Sequence, residues 1–367
     1  MNTLKNRYLS LDVFRGIDVA LMIIVNSPGN GNTSFGILKH AEWNGFTLTD
    51  LVFPTFLFVV GNAMSFSMKK YEAIGDGAFL KKVFKRFSII FLLGFLMYWF
   101  PFFENGALKP IAETRIFGVL QRIALCYLFA SLLLHYFKTK TVIIFSILAL
   151  IGYNILLFAF GDLTLMGNAV IKLDEFLIGV KHMYHGNGGV AFDPEGLLST
   201  LPAIVNVIAG YLTGKFIQKN GQNFETIAKL LMVAAILVVA GFAWDLIMPF
   251  NKKLWSSSFV LLTSGIDLFI IATLIYLLDM RKPGKWTFFF EIFGKNTLFI
   301  YLLSELFIIT LAVISMKGTS AYNWIADNIF IATLGDYFGS LFFALWIMLT
   351  CWFVGYLMDK KGIYVKV

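Results

Sequence analysis

The stretch TVIIFSILALIGYNILLFAFG, residues 141–161, indicates the class of fold. It contains no Asp, Glu, Lys, Arg or His, and its length matches the roughly 20 apolar residues that a helix needs to cross a bilayer. Similar runs occupy most of the chain, which is 58% hydrophobic and 14% charged. An ordinary soluble domain is about 25% charged. The composition excludes a soluble enzyme, a disordered chain and a secreted disulfide scaffold, and predicts an all-α polytopic membrane protein.

Ten segments have the length and apolarity of membrane-spanning helices. Their continuous apolar runs differ from the alternating strands of about 10 residues that build an outer-membrane barrel. The ninth segment begins with a Gly-Lys-Asn break at residues 294–296, where irregular structure is expected. The approximate bounds are 11–28, 48–68, 86–103, 115–137, 141–161, 196–217, 227–249, 256–279, 287–315 and 335–358.

The distribution of Lys and Arg predicts the orientation. When the N-terminus is placed in the cytoplasm, most loop lysines and arginines fall on the inner side, as the positive-inside rule requires. Both termini are then cytoplasmic. The net charge of +8 is therefore attributed to loops that face membrane lipid, and no nucleic-acid partner is expected. Residues 1–367 form one membrane domain, and the longest outer loop, at about 162–195, is long enough to hold a lid or a small helix.

The segment around His40 is the first candidate for chemistry. Imidazole titrates near neutral pH, so His40 at the outer membrane edge suits a general base, although a lone interfacial His also has structural uses. Asn26 lies near the same edge and could orient the imidazole or bind a carbonyl oxygen. Trp43 offers a face on which sugars stack. Asp50 lies just inside the second span, where an unpaired carboxylate has a high free-energy cost.

Basic side chains form two further candidate clusters. Arg15 shares a helix face with Asp12, so it either forms an ion pair or holds an anionic ligand at the inner side. Arg115 and Arg122 lie seven residues apart, which predicts two guanidinium groups on one side of the fourth span, with Gln121 nearby. Such a pair binds phosphate or carboxylate, or pairs with acidic residues of a neighbouring helix.

Other polar positions complete the set. Asp193 and Glu195 precede the sixth span, either as helix-terminal carboxylates or as ligands at the outer face. A basic turn before the eighth span contains Lys253, and the intramembrane Glu305 needs a partner. No Cys/His spacing predicts a metal, because His182 and His185 lack a third ligand.

The ordered set of motifs resembles one family of membrane enzymes. The motifs are SLDVFRG at 10–16, HAEWNG at 40–45, DLVFP at 50–54, GVLQR at 118–122, DPEG at 193–196 and NKKLWS at 251–256. Together they resemble the membrane domain of heparan-α-glucosaminide N-acetyltransferase and its bacterial relatives, over roughly residues 7–305. SLDVFRG alone also occurs in other membrane acyltransferases, whereas the whole set is specific.

The resemblance implies transfer of an acetyl group from cytosolic acetyl-CoA to the amine of an amino sugar on the outer side. It assigns His40 as general base or acetyl carrier and Asn26 as its catalytic partner. The expected acetyl-CoA contacts are Arg15, Arg115, Gln121, Arg122 and Asn296, although Arg115 enters its span from outside and Arg15 and Arg86 suit a cytosolic nucleotide better. The expected substrate contacts are Trp43, Asn44, Asp50, Asp193, Glu195, Lys253 and Trp255.

Two other functions remain open on the sequence. An O-acyltransferase of an envelope glycan uses the same donor with a hydroxyl acceptor. A carrier of a sugar or of a lipid-linked saccharide performs no chemistry and is expected to show two related halves with matching broken helices, which the sequence lacks. The expected partners are the amino sugar and membrane lipid, and the resemblance also admits a homodimer. If the chain is bacterial, its membrane is the inner, cytoplasmic one.

Overall fold

The computed structural model describes residues 8–29, 34–71, 75–104, 106–186, 189–281 and 284–365. The described chain is mostly helical, which confirms the predicted class.

Short 3₁₀ turns cover Gly36–Leu38, Ile111–Glu113 and Val180–His182, and two hairpins pair β1 (Phe103–Glu104) with β2 (Ala107–Leu108) and β3 (Ser315–Met316) with β4 (Thr319–Ser320). The helices are α1 (Leu9–Asn26), α2 (Leu48–Tyr71), α3 (Asp76–Trp99), α4 (Val119–Tyr136), α5 (Thr139–Phe160), α6 (Ala169–Ile178), α7 (Thr200–Asn220), α8 (Phe224–Asp245), α9 (Ser257–Leu274, continued by a π-helix Ile275–Met280), α10 (Thr287–Lys295), α11 (Thr297–Val313), α12 (Ala321–Ile325, continued by a π-helix Ala326–Ile331), α13 (Ala332–Leu334) and α14 (Asp336–Lys360).

Seven of the described helices are long and apolar enough to cross a membrane, and an eighth span results if α10 and α11 are counted together. The seven are α2, α4, α5, α7, α8, α9 and α14. Helix α1 overlaps the predicted span 11–28, and α3 overlaps the predicted span 86–103 but begins ten residues earlier, at Asp76; each carries several charged residues. The structure thus establishes a polytopic helical protein, and the number of ten spans stays a prediction.

The ninth predicted segment differs most from its expectation. The sequence predicts one span over residues 287–315, and the structure divides them into α10 and α11, whose axes meet at 85°. Packing explains the bend, because α10 lies directly against α1. A Cβ on Gly16 would fall 1.9 Å from the carbonyl oxygen of Phe290, and a Cβ on Gly294 would fall 2.5 Å from that of Asp12. Because the backbones of α1 and α10 are in close contact, α10 does not continue along the axis of α11.

The fourth predicted segment begins later than expected. The sequence predicts its start near residue 115, whereas α4 begins at Val119, after the extended Gly118. Arg115 therefore lies outside the helix, and the prediction that Arg115 and Arg122 project from one helix face is wrong. The backbone N–H of Ile116 donates to the carbonyl of His182, so this segment is held by the long loop that follows α5. That loop contains α6, the short helix expected there.

Glycines set the tightest helix packing in the core. Helices α2 and α7 pack extensively, with Gly61 against the carbonyl of Val207 and Gly210 against the carbonyl of Phe58. Helices α8 and α9 form a second extensive contact. Small residues let helix backbones approach closely where a hydrophobic driving force between helices is weak. This rigid bundle fixes the start of α2, the turn before α4, the turn before α7 and the turn before α9 relative to one another.

Candidate active site

His40 lies at the end of a loop that is held by the first turn of α2. Its Nδ1 is 2.7 Å from Oδ1 of Asp50. The other carboxylate oxygen of Asp50 accepts hydrogen bonds from the backbone N–H of Ala41 at 3.1 Å and of Thr47 at 3.0 Å. Thr47 precedes α2 and Asp50 is its third helical residue, so Asp50 supplies one half of a capping box, while the Thr47 hydroxyl donates to the carbonyl of Lys39 and to Oδ2 of Asp50. The carboxylate that begins the helix therefore also orients the imidazole, in the manner of the buried acid of a hydrolytic triad.

Lys252 completes the surroundings of His40. Its Nζ lies 3.1 Å from Nε2 and 3.3 Å from Nδ1 of the imidazole. The His40 side chain is 42% exposed, whereas that of Asp50 is 1% exposed. Burial lowers the pKa of His40 and the charge of Lys252 lowers it further, while the hydrogen bond to Asp50 opposes the shift. The arrangement favours a neutral imidazole, the form that accepts a proton.

Arg115 pairs with two carboxylates of the turn before α7. Its Nη2 is 2.5 Å from Oδ1 of Asp193 and 2.7 Å from Oε2 of Glu195, and its guanidinium stacks on Tyr98 and Tyr184. Burial raises the pKa of Asp193 to about 6, although the charge of Arg115 acts to lower it. Burial also acts to raise the pKa of Glu195, but Arg115 and Lys252 hold it below its usual value. Glu195 acts electrostatically on His40 as well, so this cluster belongs to the His40 site.

Arg122 and Gln121 are wholly buried on α4. Arg122 Nη2 donates to the carbonyl oxygens of Pro194 and Gly196 at 3.2 and 3.0 Å and to the hydroxyl of Ser199 at 2.5 Å. It therefore fixes the turn that carries Glu195. Among the described residues, neither side-chain polar atom of Gln121 has a hydrogen-bond partner. Arg122 therefore supports the His40 end of the bundle from within, and the contacts of the described residues give Gln121 no such role.

The motif residues Trp43 and Asn44 connect the His40 loop to the turn before α9. Trp43 Nε1 donates to the carbonyl of Leu163 at 2.7 Å, and the Nζ of Lys253 lies 6.0 Å from the centre of its ring. Asn44 accepts from the side chain of Asn251 at 3.1 Å. Trp255 is fully buried and donates to Asn206 at 3.0 Å, so its ring packs in the core.

Asn26 approaches the same region from the end of α1. It is exposed, and its Nδ2 donates to Oε1 of Glu305 at 3.2 Å, which supplies the partner that an intramembrane Glu needs. Glu305 acts electrostatically on Tyr98, whose hydroxyl lies 3.4 Å from Nη1 of Arg115. Asn26 thus belongs to an extended polar region that includes Arg115, and it makes no hydrogen bond to the imidazole among the described contacts.

A separate cavity of about 330 Å³ is lined by cationic side chains at one end and by apolar side chains along α2. Arg15, Arg86 and Lys295 supply the positive charge, and Lys295 pairs with Asp359 at 2.8 Å. Asn296 lies beside Lys295, with its amide bonded to the backbone of the C-terminal segment, at Ile363 and Val365. The apolar wall is formed by Phe56, Val59, Val60, Ala63, Ile123 and Leu298.

The structure thus separates the predicted residues into two groups. Arg15 and Asn296 lie at the cavity, whereas Arg115, Gln121 and Arg122 lie toward the other group, around His40. The sequence alone singles out neither Lys252 nor Tyr98. Lys252 is the neighbour of Lys253 in the basic turn, but no local pattern distinguishes the lysine that faces His40 from the one that faces Trp43. Of the predicted substrate contacts, Trp43, Asn44, Asp50, Asp193, Glu195 and Lys253 lie in the His40 group together with Lys252, Arg115 and Arg122, whereas Trp255 is buried in the core.

Comparison with known proteins points to one family. Residues 7–248 match the family model described as heparan-alpha-glucosaminide N-acetyltransferase, catalytic. A human protein named heparan-alpha-glucosaminide N-acetyltransferase is 28% identical over 84% of this chain and 54% of its own length. The mouse protein of the same name is 29% identical over 82% of this chain and 53% of its own length. The chain therefore spans about half the length of the curated relatives it matches.

Proposed function

The chain belongs to the heparan-alpha-glucosaminide N-acetyltransferase catalytic family, and from this premise we propose that it is a membrane acetyltransferase. It takes the acetyl group from acetyl-CoA on the cytoplasmic side and transfers it to the amine of a glucosamine-type sugar on the outer side. The observation that carries the proposal is the imidazole of His40, held between a buried carboxylate and a lysine. The proposal includes ten spans with both termini in the cytoplasm.

His40 acts on the amine. A sugar ammonium must lose a proton before its nitrogen can attack a thioester carbonyl, and a neutral imidazole is a suitable acceptor. Asp50 accepts from Nδ1–H, so the lone pair is on Nε2, and the acceptor amine or the acetyl group must displace the ammonium of Lys252, 3.1 Å away, to reach it. The two roles, general base and acetyl carrier, differ in kinetics, because an acetyl-imidazole intermediate gives ping-pong behaviour.

The carboxylates near His40 suit an amino sugar. Glu195 remains ionised because Arg115 and Lys252 lower its pKa, and Asp193 shares the same guanidinium. Such carboxylates attract an ammonium and accept hydrogen bonds from hydroxyl groups. Asn26 donates to Glu305 in the same polar region. Its proposed role is to hold the carbonyl oxygen of the thioester. Trp43 and Asn44 follow His40 in the same loop and contact Leu163 and Asn251.

The cationic cavity suits coenzyme A. Arg15, Arg86 and Lys295 present guanidinium and ammonium groups to phosphates, and the Nε atom of Arg86 is buried without a hydrogen-bond partner in the described chain. Phe56 and Ala63 lie seven residues apart, so the apolar wall extends about 10 Å along α2 and matches a flexible pantetheine arm. Acetyl-CoA supplies the activated acetyl group, and these residues bind and orient it.

The cavity also points toward His40. Its lining begins at Phe56, six residues after Asp50, which corresponds to about 9 Å along the helix axis. Ile123 lines the same region and lies in the second turn of α4, next to the buried Arg122. A donor that enters beside Arg15 therefore extends toward the end of the bundle that holds the acceptor. This geometry favours transfer across the bundle and gives a simple carrier no comparable support.

The test is acetyl transfer from radiolabelled acetyl-CoA to glucosamine by the purified protein, comparing wild type with His40→Ala. We expect amide-linked label with wild type and a loss of about 10²–10⁴-fold in rate in the variant, the usual contribution of general acid–base catalysis. The control is His185→Ala, because His185 is an exposed histidine of the outer loop. Label in an ester rather than an amide identifies an O-acyltransferase. Full activity of His40→Ala contradicts the assigned role.

A further inference from the structure

Two acidic side chains lie in the interior of the bundle and belong neither to the cavity lining nor to the His40 group. Asp18 on α1 is 2% exposed and Asp267 on α9 is fully buried. Asp267 belongs to a helix that is apolar and long enough to span a membrane. An ionised carboxylate in such surroundings is costly unless a cation or several hydrogen bonds compensate it. The proposed acetyl transfer gives neither residue a role.

The hydrogen bonds of the two carboxyls are incomplete. The hydroxyl of Thr55, itself 5% exposed, donates to Oδ1 of Asp267 at 2.6 Å. In the described chain, Oδ2 of Asp267 and Oδ2 of Asp18 are both buried and have no hydrogen-bond partner. Asn62 projects from the same side of α2 as Thr55, seven residues later, and neither polar atom of its buried amide has a partner there. Most buried polar atoms in proteins are paired, so this group calls for an explanation.

The neighbouring polar residues on α9 show the usual pattern. Asn206 donates to the hydroxyls of Thr263 and Ser264 at 3.2 Å, and its oxygen accepts from Trp255. All are buried and are satisfied by one another. These hydroxyls lie one turn before Asp267 on the same helix. The polar residues one turn earlier on α9 therefore do not share the lack of a hydrogen-bond partner seen at Oδ2 of Asp267.

No basic side chain compensates the pair among the described contacts. Arg15, one turn before Asp18, donates to the carbonyl of Gly294 and lies 4.0 Å from Asp12. Asp279, in the last turn of the α9 span, accepts from Ser10. The titratable group that acts electrostatically on Asp18 is Asp267, and the group that contacts Asp267 is the uncharged Thr55. Each of two neighbouring carboxylates disfavours the ionised form of the other, so an uncompensated pair favours protonation of at least one member.

We propose that Asp18 and Asp267 form a proton-binding site in the interior of the bundle, with at least one of the two carboxyls protonated at neutral pH. The proton supplies the missing positive charge, and the O–H group it forms donates to an oxygen that otherwise lacks a partner. A proton needs no ligand beyond the carboxyl oxygens themselves, and a metal cation is the alternative that the measurement with Na⁺ and choline tests. Thr55 orients the accepting carboxyl through its hydroxyl.

Infrared spectroscopy of the wild-type protein tests the site without reference to acetyl transfer. A protonated carboxylic acid has a carbonyl stretch well separated from that of a carboxylate and shifted in D₂O. We expect this band at neutral pH, and a negative carbonyl band in the spectrum of the double variant Asp18→Asn/Asp267→Asn minus that of wild type. The control Asp327→Asn alters an exposed acid and should leave the band in place. Absence of the band from wild type overturns the proposal.

Thermal unfolding supplies a second measurement. Asn is nearly isosteric with a protonated Asp, so Asp267→Asn is expected to fold with a midpoint close to that of wild type. Replacement of Na⁺ by choline at constant ionic strength should not change the wild-type midpoint. A Na⁺-specific stabilisation that disappears in Asp267→Asn identifies a metal cation as the ligand and overturns the proton assignment. A failure of acetyl transfer affects neither measurement, so the two proposals fail separately.

Discussion

Lys252 and Asp50 act on His40 in opposite directions. Asp50 stabilises the protonated imidazole through a hydrogen bond of 2.7 Å, whereas the ammonium of Lys252 and burial destabilise it. Burial also lowers the pKa of Lys252 itself. The carboxylate orients the imidazole while it accepts from the backbone N–H of Thr47 at the start of α2, and the lysine keeps the imidazole available as a base below the pH at which an ordinary histidine becomes protonated. Asp50 therefore orients the imidazole of His40, and Lys252 lowers its pKa.

The role of Lys252 predicts a shift in the pH dependence of activity. A base must be unprotonated, so the rate falls as pH decreases through the pKa of His40. Because Lys252 lowers that pKa, Lys252→Met is expected to raise it and to move the acidic limb of kcat/KM to higher pH. The measurement is the pH–rate profile. Lys253→Met is the matched control, since Lys253 faces Trp43. A shift in both variants, or in neither, argues against a specific contact.

At the scale of elements, the packing of α10 against α1 is the decisive contact of the ninth segment. Gly16 and Gly294 allow the two backbones to meet, and the chain then turns by 85° into α11. The turn carries Lys295 to the cationic cavity and Asn296 to the C-terminal segment. A straight helix over the same residues would carry them elsewhere. The bend therefore helps to build the proposed coenzyme A site.

Gly16→Ala tests this contact. A Cβ at Gly16 would lie 1.9 Å from a backbone oxygen that cannot rotate away, so the helices must separate. Overpacking of this kind typically costs about 1–3 kcal/mol, and we expect a lower unfolding midpoint. Gly152→Ala on α5 is the control, because a Cβ at Gly152 would meet no described atom within 4 Å and Ala is a better helix former than Gly. Equal midpoints for Gly16→Ala and wild type would contradict the tight packing.

At the scale of the whole molecule, the cationic cavity and the His40 group occupy different parts of one bundle. Helix α1 carries Arg15 near its start and Asn26 at its end, about 16 Å apart along the axis. Helix α2 carries Asp50 at its start and Ala63 two turns beyond the first cavity residue. The two helices pack together, so each contributes to both groups. The proposed coenzyme A site and the His40 group therefore share two helices of the bundle.

Ala63→Trp tests whether the cavity admits the donor. The larger side chain fills the apolar wall, so we expect a raised KM for acetyl-CoA or loss of coenzyme A binding, measured by equilibrium binding and by the rate of acetyl transfer. Ile155→Trp on α5 is the control, because Ile155 is 61% exposed on the outer surface of the bundle and the ring has room there. Unchanged coenzyme A affinity in Ala63→Trp would place the donor outside this cavity.

Apolar length and local residue order were enough to predict the membrane class, the positions of most helices and the motif that contains His40. Three-dimensional packing was needed to show that Lys252 meets His40, that Arg115 pairs with Asp193 and Glu195, and that Arg15 and Arg115 lie in different groups. These contacts join residues far apart in the chain. They depend on how helices pack, at glycines and bends whose geometry no local pattern specifies.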